Sequence, residues 1–309
     1  RRARRILIAA FKGFGLATRF GGNDDDLPAR KYLMYLCNEA MARPLAHPDD
    51  TVIVSIFTPC EFLQAMGLKP VFPEGLGCYM TASACEDIFL EKAEECGVPE
   101  TLCSYHKMLI GMAETGVLPK PACIVNTSMA CDANQLSFRY MAEYFQVPHL
   151  VLDVPTGCSG TNVRYMSDQL HQMVDFLQET TGRYMDPEKL YGIMTRAADT
   201  IANYKKIMAL KSVKHERSKI TYHMLDIFAT HVLLGSEEVL KYTECMIRDL
   251  KKLPDDTPGV RIMWVHTMPY WQKSVAEIFN YNDQVEVTEA GHRRHYQGIQ
   301  GQHDNPSDR

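Results

Sequence analysis

Three short stretches of the 309-residue chain combine reactive residue types with positions where ligands gather. Thr58-Pro59-Cys60-Glu61 follows the β-branched, apolar run 51–57 (TVIVSIF). Cys103-Ser104-Tyr105-His106 stands at the start of a helical pattern over 101–115, with Pro99 expected in its first turn and Gly116 after its end. Ala130-Cys131-Asp132 follows the apolar run 122–125 and opens a second helical pattern reaching about Phe145. Open α/β sheets bind ligands at the carboxyl ends of their strands. A thiol at a helix N-terminus meets free N–H groups and the positive end of the helix dipole, which favour anionic sulfur. An iron–sulfur cluster suits such a place, because N–H groups directed at sulfur tune its potential.

Each candidate also has a plain structural reading. Cys103 and Cys131 lie 28 residues apart, which is the spacing of successive elements of one sheet and not of a zinc ribbon. Two sulfurs converging on one crevice satisfy it, and so do two buried structural thiols. Glu61 reads as an acid/base group facing the crevice or as a first-turn carboxylate favoured by the dipole. His106, one helical turn beyond Cys103, reads as a packed or exposed histidine before a ligand. Cys78 and Cys85 lie among small residues, which suggests tight packing or backbone approach to a ligand. Thr156-Gly157-Cys158-Ser159-Gly160 lacks the Lys-Ser/Thr of a phosphate loop and reads as a turn. Gly13-Phe14-Gly15 lacks the third glycine of a dinucleotide fingerprint and precedes no clear helix.

The elements that must position these residues follow from periodicity. Strand, helix, strand, helix, strand over 51–154, with short connections, indicates a parallel sheet covered by helices. The middle of the chain is helical. Val163, Met166, Leu170, Met173, Val174 and Leu177 recur at helical spacing, as do Ile193, Ala197, Ile201, Tyr204 and Met208. Ser236 with Glu238 opens another helix. These stripes read as core. A second strand-helix-strand run covers 260–266, 270–279 and 284–287, too little to bury both faces of a sheet. The expected organisation is an N-terminal α/β domain over 1–155, a helical segment over 156–257, the start of a truncated second α/β domain over 258–290, and a polar, disordered or non-native tail over 291–309.

Composition bounds the function. Hydrophobic residues are 46% and charged residues 23%, as in folded globular proteins. A net charge of −5 argues against a general nucleic-acid binder, while leaving room for a local basic patch. No apolar run approaches the roughly 18–20 residues that span a bilayer, and no secretory signal is evident, so a cytoplasmic location without membrane association is expected. The ten cysteines then read as thiols or metal ligands, mostly buried, and not as a disulfide framework.

Residues 58–67 (TPCEFLQAMG), Cys103-Ser104-Tyr105 ahead of a helix closed by Gly116, and Cys131-Asp132 after a strand resemble, in this order and spacing, the 2-hydroxyacyl-CoA dehydratase D-component family. That family also holds benzoyl-CoA reductase subunits. The likeness is best from about Tyr32 to Pro155 and looser beyond. It implies two Rossmann- or flavodoxin-like parallel-sheet domains with a [4Fe–4S] cluster between them. It further implies a second dehydratase or reductase subunit, an acyl-CoA substrate and an ATP-hydrolysing iron–sulfur activator that delivers one electron. In dehydratases of this kind the thioester carbonyl becomes a ketyl radical, which expels the 2-hydroxyl and leaves an enoyl-CoA. By motif match, Cys103 and Cys131 are implied as cluster ligands and Glu61 as the carboxylate near the substrate. The family's third cysteine lies in the second domain. The last cysteine here is Cys245, so two of three ligands are expected from this chain, which alone is expected to be inactive. Cys60 stands where other residue types are usual. A benzoyl-CoA-reductase-like or other low-potential electron-transfer or accessory subunit is the alternative. A metal-free α/β binding module with structural cysteines is the third reading.

Overall fold

The computed structural model describes residues 2–129, 131–256, 259–264, 268–269 and 272–290. Two long helices come first, α1 (Arg2–Phe20) and α2 (Pro28–Ala46). Gly13-Phe14-Gly15, read from sequence as preceding no clear helix, lies inside α1. A Cβ on Gly15 would stand 3.1 Å from Asn38 Cβ, so its missing side chain lets α1 cross α2 closely.

The sheet follows: β1 (Thr51–Val54), α3 (Cys60–Ala65), β2 (Lys69–Val71), α4 (Pro73–Ala82), α5 (Glu86–Glu95), α6 (Ser104–Glu114), β3 (Cys123–Thr127), α7 (Asp132–Phe145) and β4 (His149–Leu152). All four strands are parallel, in the order β2-β1-β3-β4, with Ile53 opposite both Val71 and Ile124, and Val125 opposite Leu150. The chain steps from β1 outward to β2, then returns to lay β3 on the other side of β1. That reversal makes a topological switch point between β1 and β3, whose carboxyl ends open a crevice.

Two of the element boundaries that differ from the sequence reading have clear local reasons. β1 stops at Val54 because Thr58 N–H donates to Ser55 O at 3.0 Å and turns the chain out of the sheet. α6 starts at Ser104: Leu102 N–H closes a separate turn on Pro99 O at 3.0 Å, and Cys103 takes a non-helical conformation (φ −48°, ψ 127°). Pro99 is therefore outside the helix, and Cys103 is its N-cap.

The helical layer comprises α8 (Gly160–Thr181), α9 (Pro187–Lys211), α10 (Thr221–His231) and α11 (Glu237–Lys252). Ser159 Oγ accepts the Asn162 N–H, Asp186 Oδ1 those of Glu188 and Lys189, and Ser236 Oγ that of Val239, each a side-chain N-cap. The apolar stripes are core only in part. Met173 and Leu177 of α8, Ile193 and Ala197 of α9, and Val239, Met246 and Leu250 of α11 are buried, whereas Val163 is 60% exposed. Last come β5 (Val260–Trp264), α12 (Lys273–Phe279) and β6 (Val285–Ala290), with β5 and β6 paired in parallel as a separate two-stranded sheet. Val260 and Met263 of β5 are exposed. The tail over 291–309 lies outside the described residues. No described helix is long and apolar enough to cross a membrane.

One buried cation locks the layers together. Arg30 of α2 donates from Nε to Glu216 Oε1 (2.5 Å), from Nη2 to Glu216 Oε2 (2.8 Å), and from Nη1 to Asp226 Oδ2 (2.6 Å) and Tyr242 Oη (2.8 Å). Lys211 adds a second cation 3.0 Å from Glu216. Burial alone would raise the Glu216 carboxyl, but Arg30 and Lys211 outweigh it and hold that group well below the usual carboxylate range.

Candidate functional site

The crevice is built by hydroxyl clamps between strand ends. Ser55 and Thr58 share a bond at 3.1 Å, Thr58 Oγ1 donates to Val125 O at 3.1 Å, and Thr127 N–H donates to Ser55 Oγ at 3.3 Å. This ties the loop after β1 to the end of β3 and sets the direction of α3. Cys60, the first residue of α3, points into the core and is fully buried; burial, with Glu61 and Glu74 nearby, pushes its thiol up. A free buried thiol of this kind behaves as a small hydrophobe.

Glu61 follows in the first turn of α3. It is half-buried, and desolvation raises its carboxyl above the usual carboxylate range. The helical layer supplies its wall: a Cβ on Gly235 would lie 3.4 Å from Glu61 Cγ. A second carboxyl stands nearby. Glu74 of α4 accepts the Ile56 N–H on Oε1 at 3.2 Å, its Oε2 is enclosed without a hydrogen-bond partner, and desolvation pushes the group up to about 8. The end of β1 thus carries two carboxyl groups biased toward holding a proton.

The end of β3 presents Cys131. Gln135 Nε2 donates to Thr127 O at 2.7 Å and Asn134 Nδ2 to Met129 O at 3.2 Å, folding the connection back onto the first turn of α7. Cys131 is the N-cap of this 14-residue helix and is exposed. Its sulfur lies 3.6 Å from His106 Nε2, and His106 Nδ1 lies 2.8 Å from Ser137 Oγ. The Ser137 hydroxyl donates to Asn134 O at 3.2 Å, so its oxygen accepts Nδ1–H and leaves Nε2 as acceptor toward the Cys131 thiol. Burial lowers the His106 titration, which keeps the ring neutral.

Cys103 is the exposed N-cap of α6, the helix that packs on α7. The structure therefore brings Cys131 directly against His106, one turn from Cys103, at the amino ends of two neighbouring helices. Of the packed and exposed readings of His106, the structure shows the packed one, with a contact to Cys131 that the sequence did not signal. Its partner Ser137 lies 31 residues away, and Glu74 has no spacing that links it to Glu61. Only the crossing of helices brings these groups together.

Tight helix crossings hold α6 in place. A Cβ on Gly111 would stand 1.9 Å from Phe89 O of α5. Cys78 Sγ of α4 lies 2.9 Å from Tyr105 Oη, so the small-residue stretch of α4 packs against the start of α6. Ser159 and Asn162 close the 156–160 turn, as Asn162 Nδ2 donates to Thr156 O at 2.9 Å. Two exposed thiols at helix amino ends are the donor type an iron–sulfur cluster takes. Among the described residues, no three His, Cys, Asp or Glu side chains gather into a metal-ion site.

Comparison with known proteins adds the lineage. The chain is 24% identical over 145 residues to the (R)-phenyllactyl-CoA dehydratase alpha subunit of Clostridium sporogenes, covering 44% of this chain and 36% of that protein. It is 22% identical over 209 residues to the lactoyl-CoA dehydratase subunit alpha of Anaerotignum propionicum, covering 60% and 49%. The chain thus spans about half or less of the curated relatives it matches. Residues 55–307 match the family described as 2-hydroxyglutaryl-CoA dehydratase, D-component. That match covers both candidate cysteines, Glu61 and most of the chain, which belongs to the 2-hydroxyglutaryl-CoA dehydratase D-component family.

Proposed function

We propose that this chain is a subunit of a 2-hydroxyacyl-CoA dehydratase-type lyase, with its site in the crevice between β1 and β3. The observation that supports this reading is the contact of the Cys131 sulfur with His106, at the amino end of the helix that follows β3 in a family member's parallel sheet. Cys103 and Cys131 would hold part of a [4Fe–4S] cluster, the remaining ligands coming from outside this pair. When bound, such a cluster supplies one-electron reduction of the substrate's thioester carbonyl, fed by an ATP-hydrolysing iron–sulfur activator. The family relatives are named as alpha subunits, which supports a second subunit here as well.

The chain's own residues then have definite tasks. Glu61, with its carboxyl raised by desolvation, holds or moves a proton beside the acyl-CoA. The Ser55–Thr58–Val125 clamp ties the loop that leads to Glu61 to the end of β3. Neutral His106, fixed by Ser137, orients the Cys131 sulfur.

The test is anaerobic reconstitution of the assembled enzyme with iron and sulfide. Cys103→Ala with Cys131→Ala is expected to abolish iron binding. Glu61→Gln is expected to keep the iron and lose turnover by about 10²–10⁴-fold, the scale of one acid/base group. Retained iron in the double variant would remove the cluster assignment, and unchanged turnover in Glu61→Gln would reduce Glu61 to a helix-terminus charge.

A further inference from the structure

Where α1 ends, α2 begins and α11 passes, the chain carries a groove of about 430 Å³ that the dehydratase reading does not use. Four cations line it: Arg19, Lys31, Lys241 and Arg248. None forms an ion pair among the described residues. The one carboxylate lining it, Asp249, is already engaged: Oδ2 accepts the Ala29 N–H at 3.0 Å, and Oδ1 lies 3.5 Å from Lys252. Arg248 Nη2 also donates to Cys245 Sγ at 2.9 Å, and four cations against one committed carboxylate in the lining make a local positive excess on a chain whose net charge is −5. Like charges held together without counter-charges repel one another, so the arrangement favours an anion.

The groove also offers rings. Arg19 lies 4.8 Å from the Tyr32 ring centroid and Lys241 lies 5.8 Å from it, so Tyr32 holds two of the cations in place. Phe20 lies at the same groove and is 81% exposed. Arg19 lies 5.8 Å over the Phe20 ring centroid, and an exposed aromatic ring beside a cluster of cations is the combination that takes a base and its phosphates together. A carboxylate-bearing metabolite would use the charges and leave the ring idle, and an apolar ligand would use the ring and leave the charges unpaired.

We propose that this groove binds a nucleotide, with its phosphates among Lys31, Lys241 and Arg248 and its base against Phe20. That chemistry has two sources, a free nucleotide or the 3′-phosphorylated nucleotide end of a CoA thioester. The second source rests on the acyl-CoA reading above; the first does not.

Equilibrium binding to the 309-residue chain tests this without turnover. The probes are adenosine 3′,5′-bisphosphate, CoA and ADP, with pyrophosphate and adenosine as fragments carrying only one half of the recognition. Saturable binding at least about tenfold tighter than either fragment is expected, weakening as salt rises from about 50 to about 500 mM. Lys241→Gln and Arg248→Gln, both on exposed side chains, are each expected to weaken it about fivefold. Phe20→Ala is expected to erase the advantage of nucleotide over pyrophosphate. Tighter binding of the bisphosphate and CoA than of ADP identifies the CoA end as the source, and the reverse order identifies a free nucleotide. No saturable binding overturns the proposal. So does pyrophosphate matching the nucleotides with Phe20→Ala silent, and so does binding that both charge variants leave unchanged. Loss of dehydratase activity in the assembled enzyme has no bearing on this binding, so the two readings fail separately.

Discussion

Arg30→Met tests the lock between α2 and the helical layer. The substitution keeps most of the stem's volume and removes the charge and its N–H donors. Glu216, 3% exposed, is then left with Lys211 alone, and Asp226 with the hydroxyls of Tyr204 and Tyr242. Removing one partner of a buried pair costs about 3–5 kcal/mol, because the other charge stays buried without it. Against a total stability of roughly 5–15 kcal/mol, that is a large fraction. Urea unfolding near pH 7, followed by circular dichroism, reads the loss as a shift in midpoint converted through the measured slope. Glu216→Gln added to Arg30→Met removes the orphaned charge and is expected to recover part of the loss, giving a non-additive cycle. The pH dependence has a definite sign. Glu216 is depressed in the folded protein, so its contribution is present above about pH 4.5 and is lost as pH falls through the folded value. Arg30→Met relieves that depression and flattens the acid limb. A loss under about 1 kcal/mol, or additivity with Glu216→Gln, would refute the reasoning.

Three further outcomes follow from packing and burial. Gly111→Ala places a methyl 1.9 Å from the Phe89 carbonyl, which no side-chain rotation relieves, so α5 and α6 must part. A cost of about 1–3 kcal/mol or more is expected in thermal unfolding, and a neutral effect would mean that this crossing yields freely. His223 is pushed down to about 3 by desolvation, helped by Lys211 and Arg30. Its neutral form therefore stabilises the fold above about pH 6.5, and that stability is lost as pH falls, with a slope of at most about 1.4 kcal/mol per pH unit. His223→Leu should flatten the stability profile between about pH 6.5 and 5; an unchanged slope would place the titration elsewhere. Brief alkylation of the native protein, read by mass spectrometry, should label exposed Cys96, Cys103, Cys131 and Cys158 and spare Cys37, Cys60 and Cys123. Burial pushes the Cys123 thiol up to about 11, so early labelling there would contradict its place in β3.

Much of this protein was legible in its residues. The run TVIVSIF marks a buried strand, of which Thr51–Val54 pair in the sheet, and the alternation of such runs with helical stripes indicates a parallel sheet, because short-range periodicity reports which face is apolar. Cys103 and Cys131 at helix amino ends, and Glu61 one turn past a strand, follow from the same local signals. The N-terminal helices escaped this reading. α2 is apolar on several sides because it is buried between α1, α10 and α11, so it shows no clean stripe. What only the tertiary structure decided is which distant residues meet. His106 reaches Cys131 because α6 packs on α7. Arg30 finds Glu216 and Asp226 about 190 residues away. The cations of the 430 Å³ groove come from three helices, of which α11 is far from α1 and α2 in the sequence. Periodicity fixes the face a side chain presents; the partner on that face is set by how close two backbones can approach, and that depends on residues such as Gly15 and Gly111 that carry no chemistry of their own.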